Sequence, residues 1–193
     1  MADAQVTFYP VGSAPAEMAP GDFLLIRNDE PWHSKNGFVS ALIRLGELLK
    51  LRRAGVPKDT RRQMARWNHA VGVSTSGLVE ALGAGVARSP FSRYTGSDFL
   101  YVHTDLTDAQ RAEAAGYLES MVGVRYGYLT DVSIGLTALT GWKFVFMDRR
   151  QVICSGLVAA MLGTWCWRSC PAFVMPSDLA AYHGISTTRL LDP

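Results

Sequence analysis

Asn68-His69-Ala70-Val71-Gly72-Val73-Ser74-Thr75-Ser76-Gly77-Leu78-Val79-Glu80-Ala81-Leu82 reads as two short strands folded back on each other, with Ser76-Gly77 as the turn. On a strand, successive side chains alternate faces, so His69 shares its face with Val71 and Val73. Working outward, Gly21-Asp22-Phe23-Leu24-Leu25-Ile26-Arg27 is an apolar run between Pro20 and Asn28-Asp29, the pattern of a buried strand. Ser97 to His103 is another strand, with Phe99, Tyr101 and His103 on one face and Leu100 and Val102 on the other.

The helices fall elsewhere. Phe38, Leu42, Leu45, Leu48 and Leu49 recur at helical spacing between Gly37 and Arg53, Gly55-Val56-Pro57 ends that helix, and Asp59 to Arg66 forms a short second one. Thr107-Asp108-Ala109-Gln110 opens a helix as a capping box, and the helix stops at Gly123. Tyr126-Gly127-Tyr128 falls in the following loop, Leu129 to Thr140 reads as a helix, and Trp142 to Met147 as a strand. Val152 to Leu162 is apolar nearly all round, a buried helix, and Pro176-Ser177-Asp178-Leu179 starts a last one with Ser177 as its N-cap. Strands and helices do not alternate as βαβ units, so the fold class is α+β with a mostly antiparallel sheet. The expected organisation is an irregular lead-in over 1–20 and one domain over 21–193, with a basic helical insertion at about 37–66.

A chain of 193 residues with 48% apolar and 19% charged residues can bury a real core and is not disordered. A net charge of +2 gives no specific nucleic-acid signal. The charge is unevenly spread, however. Arg44, Lys50, Arg52, Arg53, Lys58, Arg61, Arg62 and Arg66 face only Glu47 and Asp59, making this stretch +6 and the remainder −4. That stretch is either a solvated helix face or a surface for an acidic protein or polyanion. The first residues, Met1-Ala2-Asp3-Ala4-Gln5, lack a basic region followed by an apolar one, so a chain without a secretory signal, cytoplasmic as synthesised, is expected. No transmembrane segment is expected either. The run 128–147 carries Asp131 and Lys143, and 152–167 is shorter than the ~20 residues a span needs.

Three cysteines cannot all pair. Cys166 and Cys170 lie four apart with no nearby histidine and no second cysteine pair, so neither a metal nor a cofactor is called for. Cys154 stands apart. Read alone it is a buried structural thiol. In the first turn of its helix, however, it faces unsatisfied amides and the positive end of the helix dipole, which favour a thiolate, and its own amide is placed to help bind an oxyanion. Ser155 and Gly156 leave room beside the sulfur. His69 is the candidate base, and Glu80, on the neighbouring strand, the group that orients it. His103, His33 and His183 are weaker bases, Asp131 a weaker orienter, and Ser155 lacks the glycine pattern of a nucleophile elbow.

Cys154-Ser155-Gly156-Leu157-Val158 resembles the nucleophile motif of the NlpC-type, papain-like cysteine peptidases. Gly21-Asp22-Phe23-Leu24-Leu25 resembles that family's Gly-Asp strand, and His69-Ala70-Val71-Gly72-Val73 its histidine strand. The usual members run cysteine, Gly-Asp strand, histidine; here the order is Gly-Asp strand, histidine, cysteine. The chain is therefore similar to the circularly permuted branch, with a sheet or half-barrel packed on helices. Glu80 matches that branch's glutamate, Tyr126 its tyrosine and Pro176-Ser177-Asp178-Leu179 its late turn. Gly156, two positions after the cysteine, follows the unpermuted pattern instead.

The resemblance implies a cysteine hydrolase. Cys154 attacks an acyl carbon to form a thioester, His69 moves the protons, Glu80 orients His69, and the Cys154 amide with Tyr126 holds the oxyanion. It implies a peptide or a peptidoglycan stem peptide as substrate; with no secretory signal expected, a phage- or tail-associated protein meeting the wall from outside is one way to reach it. The alternatives are a non-catalytic papain-like docking module of a virion or tail, and an intracellular acyl-thioesterase or acyltransferase.

Overall fold

The computed structural model describes residues 5–27, 35–127, 151–166 and 174–182. Six strands form one antiparallel sheet: β1 (Gln5–Tyr9), β2 (Phe23–Ile26), β3 (His69–Ser74), β4 (Gly77–Leu82), β5 (Gly85–Ser89) and β6 (Phe99–His103). Their order across the sheet is β1-β6-β2-β3-β4-β5. The helices are α1 (Lys35–Arg53), α2 (Lys58–Met64), α3 (Asp108–Met121), α4 (Cys154–Cys166) and α5 (Pro176–Tyr182). The class is α+β. Among the described residues no helix is long and apolar enough to cross a membrane.

Strand alternation divides the core in two. Phe23, Leu25, Ala70, Val79, Ala81, Leu100 and Val102 pack with Leu118 of α3 and Leu157, Val158 and Met161 of α4. On the other face Leu24, Ile26, Val71, Val73, Leu78, Phe99 and Tyr101 form a second cluster with Tyr94. A sheet covered on both sides explains why Phe23–Ile26 reads as an unbroken apolar run. Gly72 is where the first face closes, since a Cβ there would lie 2.8 Å from Leu118 Cδ1. Its bare backbone lets α3 sit close to β3.

Four expectations need correction. The lead-in is not irregular throughout: Gln5–Tyr9 is an edge strand paired from Gln5↔His103 to Tyr9↔Phe99. β5 is a strand that the sequence reading passes over, because Gly-Val-Ala-Arg-Ser carries one large apolar residue and no alternation to see. Tyr126 lies not in a loop but in a two-residue strand β7 (Arg125–Tyr126), parallel to β8 (Gln151–Val152). Ser177 is not an N-cap, since α5 already begins at Pro176. Proline at the first helical position needs no amide partner, and Asp178 reaches back to accept from the Met175 amide at 2.9 Å. The capping box at Thr107 is present as expected, with Gln110 Oε1 accepting from the Thr107 amide at 2.9 Å. The helix expected over 129–140 and the strand over 142–147 lie outside the described residues.

Gly85 has a positive φ of 124°, and a Cβ there would stand 2.7 Å from the Val124 carbonyl oxygen, a backbone atom that cannot swing away. Gly85→Ala is therefore expected to lower unfolding free energy by about 2–4 kcal/mol, read from the midpoint of a urea melt.

Candidate active site

The first residue of β3 and the first residue of α4 meet. Val71 and Val73 point into the second cluster, so an imidazole of their parity lies on the face away from α4. Only at the end of the strand can such a side chain reach a thiol from the other layer, and His69 is that end residue. Cys154 begins α4, the Leu157 amide donating to the Ile153 carbonyl at 2.9 Å as the first turn closes. Beyond Leu162 the helix is interrupted at Gly163 (φ 54°, ψ −141°).

Glu80 projects from β4 on the same face as Leu78. Gly72 pairs with Val79, which places Val71 opposite Glu80 and makes His69 its diagonal neighbour, within reach for long side chains. His69 Nε2 lies 2.6 Å from Glu80 Oε2. The ring also lies near enough to the Cys154 side chain for the cysteine to help raise the imidazole pKa. With Nε2 committed to the carboxylate, Nδ1 is the ring nitrogen left for a further partner.

The electrostatics follow from burial and pairing. Burial opposes charge on His69, but Cys154 and Glu80 outweigh it and raise its pKa to about 10. Burial would raise Glu80, which has no exposed surface, yet His69 and the Ser89 and Tyr94 hydroxyls bring it down to about 2. The Tyr94 Oη–H donates to Glu80 Oε2, the oxygen that also holds His69. Arg93 Nε stands 3.7 Å from the other oxygen. Sequence reasoning missed Tyr94 and Ser89. Tyr94 comes from a 3₁₀ turn, Phe91–Tyr94, fourteen residues beyond Glu80, and nothing in Phe91-Ser92-Arg93-Tyr94 signals that destination.

The remaining candidates separate. Tyr126 is buried in the same cluster as Ile153 and Cys154, and its strand partner Val152 stands two residues before the cysteine. The Cys154 amide, at the first helical position, has no carbonyl one turn back within α4. Ser155 is no nucleophile: its buried hydroxyl donates to the Val174 carbonyl at 2.7 Å. His103 lies at the far end of β6, bonded to Asp22, and does not join Cys154. His33, His183, Asp131 and Cys170 lie outside the described residues, as does the side chain of Cys166. Among the described residues no three His, Cys, Asp or Glu side chains are grouped to hold a metal ion.

A strap from the C-terminal side supports the cysteine's turn. Ser155 holds Val174, and three residues on the Ser177 amide donates to Glu47 Oε1 at 2.9 Å, tying α5 to α1. Beside it Lys50 pairs with Asp178 at 2.6 Å. Glu47 is fully buried, and desolvation, helped by Asp178 and opposed by Ser177 and Lys50, pushes its pKa up to about 8 from 4.5. The stability linked to this group is complete below pH 4.5 and is lost as pH rises through about 8. Glu47→Gln removes that loss. It is expected to stabilise the protein by about 3 kcal/mol at pH 7 and more at pH 9, with no gain at pH 4, in chemical melts run at the three pH values.

No family model matches the chain, and neither does any curated protein or any solved structure.

Proposed function

We propose that this protein is a cysteine hydrolase of papain-like plan. The observation that carries the reading is the 2.6 Å contact between His69 Nε2 and Glu80 Oε2, on a ring whose pKa the neighbouring Cys154 also raises. A thiol, a base and an orienting carboxylate in sequence are the parts of nucleophilic acyl transfer. More particularly, we infer a circularly permuted NlpC-type amidase. The support is the order of its parts along the chain: the Gly21-Asp22 strand, then His69, then Cys154-Ser155-Gly156.

In the proposed reaction the Cys154 thiolate adds to an amide carbonyl carbon, and the carbonyl oxygen becomes an oxyanion beside the Cys154 amide and Tyr126. His69, protonated, gives its proton to the leaving nitrogen as the C–N bond breaks, leaving a thioester. Water then adds to the thioester carbon, His69 takes its proton, and the C–S bond breaks to release the carboxylate and restore the thiolate. Glu80 stays ionised throughout and holds the ring. A peptide or peptidoglycan stem peptide is the proposed substrate, the bond that the resemblance implies. Hydrolysis of stem peptides by the wild-type chain, followed by mass spectrometry of the products, tests this; an intact substrate beside a correctly folded protein would sink it.

The second reading, a docking module, has its own support in the exposed Arg44, Arg52, Lys58 and Arg62 of α1 and α2, which form no ion pair among the described residues. Under that reading, reversing Arg52 and Arg62 to Glu is expected to abolish retention on a heparin column. Unchanged retention excludes it.

A further inference from the structure

The two oxygens of the buried Glu80 carboxylate are used unequally. Oε2 accepts from His69 Nε2 at 2.6 Å and from the Tyr94 hydroxyl, whereas Oε1 is buried and makes no hydrogen bond among the described residues. Arg93 Nε, 3.7 Å from Oε1, is too far to make one. Each proton on Oε2 has a settled owner. Burial would raise Glu80, but His69 and the Ser89 and Tyr94 hydroxyls hold it at about 2, so it is ionised and only accepts. Burial and the Glu80 charge push the Tyr94 phenol well above its ordinary value, so it keeps its proton and donates. Burial opposes charge on His69, yet Cys154 and Glu80 raise it to about 10, and Nε2 carries a hydrogen as well.

The phenol reaches Glu80 from a turn that leaves it little freedom. The Arg93 amide donates to the Pro90 carbonyl at 3.1 Å as the turn Phe91–Tyr94 closes, and the Ser97 amide returns to the Tyr94 carbonyl at 3.0 Å. The Gly12 amide, donating to the Thr95 carbonyl at 2.9 Å, ties the turn to the N-terminal segment. Phe91 meets Phe99 edge-on with ring centroids 5.6 Å apart. Tyr94 itself is buried in the cluster of Val71, Val73, Leu78 and Phe99, its ring centroid 6.4 Å from that of His69.

A carboxylate held by one donor can turn about its last bond and offer either oxygen. Two donors on Oε2, arriving from β3 and from the 3₁₀ turn, remove that choice. We propose that Tyr94 is a positioning residue of the site: its hydroxyl fixes the Glu80 carboxylate with Oε2 toward the imidazole, and the ring is thereby held with Nδ1 left for a further partner. The role rests on the hydrolase reading and adds a fourth residue to Cys154, His69 and Glu80. Tyr94 acts through Glu80 and not on the acyl group.

The test is Tyr94→Phe in the full chain, which keeps the ring in its apolar cluster and removes only the hydroxyl; unmoved amide resonances of β2 and β6 show that the fold is kept. Hydrolysis of stem peptides is expected to lose about tenfold in kcat, with KM within about twofold of wild type. The ¹⁵N resonances of the His69 ring are expected to move. A tyrosine with a merely structural role would lower the melting temperature and leave kcat and the ring resonances where they were. In a Glu80→Ala background the same substitution is expected to change kcat by less than about twofold, since no carboxylate remains to be aimed. Wild-type kcat in Tyr94→Phe, ring resonances that do not move, or an undiminished loss on top of Glu80→Ala overturns the proposal and leaves the hydrolase reading standing. A wild-type chain that leaves stem peptides intact sinks that reading, and this role with it.

Discussion

Amide hydrolysis is expected to fall by about 10⁴-fold or more when Cys154 is replaced by Ala, with folding retained. The residue is buried among apolar neighbours, so losing a sulfur costs packing of about 1–2 kcal/mol and leaves the layers in place. His69→Ala is expected to be as damaging, and the double variant no worse than either, because sulfur and ring act as one unit. Glu80→Gln separates charge from shape. The amide can still bond Nε2, but the anion that helps raise His69 to about 10 is gone. The sign follows directly. A raised histidine pKa contributes stability in full below 6.5 and loses it as pH climbs through 10. A depressed carboxylate contributes above 4.5 and loses it as pH falls through 2. The alkaline limb of kcat/KM should therefore lie near pH 10 in the wild type and move down in Glu80→Gln, with a rate loss between about 10² and 10⁴. Cys154→Ala with wild-type turnover, or a Glu80→Gln profile that does not move, would overturn the assignment.

The second large effect concerns stability. Asp22→Ala is expected to cost about 3–5 kcal/mol, because it strands the buried end of Arg111 together with the Thr104 amide and the Tyr101 hydroxyl. These groups join the start of β2 to the end of β6 and to α3. Asp22→Asn keeps the size and some acceptors, so it should cost less than the alanine variant, and a urea series on both checks the order. Asp22 is held below its ordinary 3.8, so its contribution is present above that value and fades as pH drops through the lower folded value. The gap between wild type and Asp22→Ala should therefore narrow below pH 4. A gap independent of pH would mean that the carboxylate's charge is not what the network needs.

Much of the fold is legible in local chemistry. Phe23 to Ile26 announces a doubly covered strand, Thr107 and Gln110 announce a helix start, and the His69 and Glu80 strands announce a hairpin. β1 and β5 are not legible, for opposite reasons. Gln5–Tyr9 is an edge strand half exposed in an Ala- and Pro-rich stretch, while Gly85–Ser89 has too little apolar mass to betray a period. In the site, Cys154, His69 and Glu80 announce themselves by residue type and order. Tyr94, which completes the Glu80 environment, does not, since an aromatic in a short turn carries no mark of its long-range partner. The Asp22 network was half visible, as a Gly-Asp motif without its recipients.

By itself the sequence determined strands β2, β3, β4 and β6, the capped start of α3, the charge segregation and the residue types able to do thiol chemistry, because each depends on neighbours within a turn or two. Only the tertiary structure decided that His69 stands at a strand end where it can cross to the layer of Cys154, and that Glu80 meets its Nε2. It also decided that His103 belongs with Asp22 instead, and that Glu47 is buried and shifted. These are consequences of strand register and of which helix covers which face. Register is set by the summed fit of many side chains across the sheet, and no local stretch of chain contains that sum.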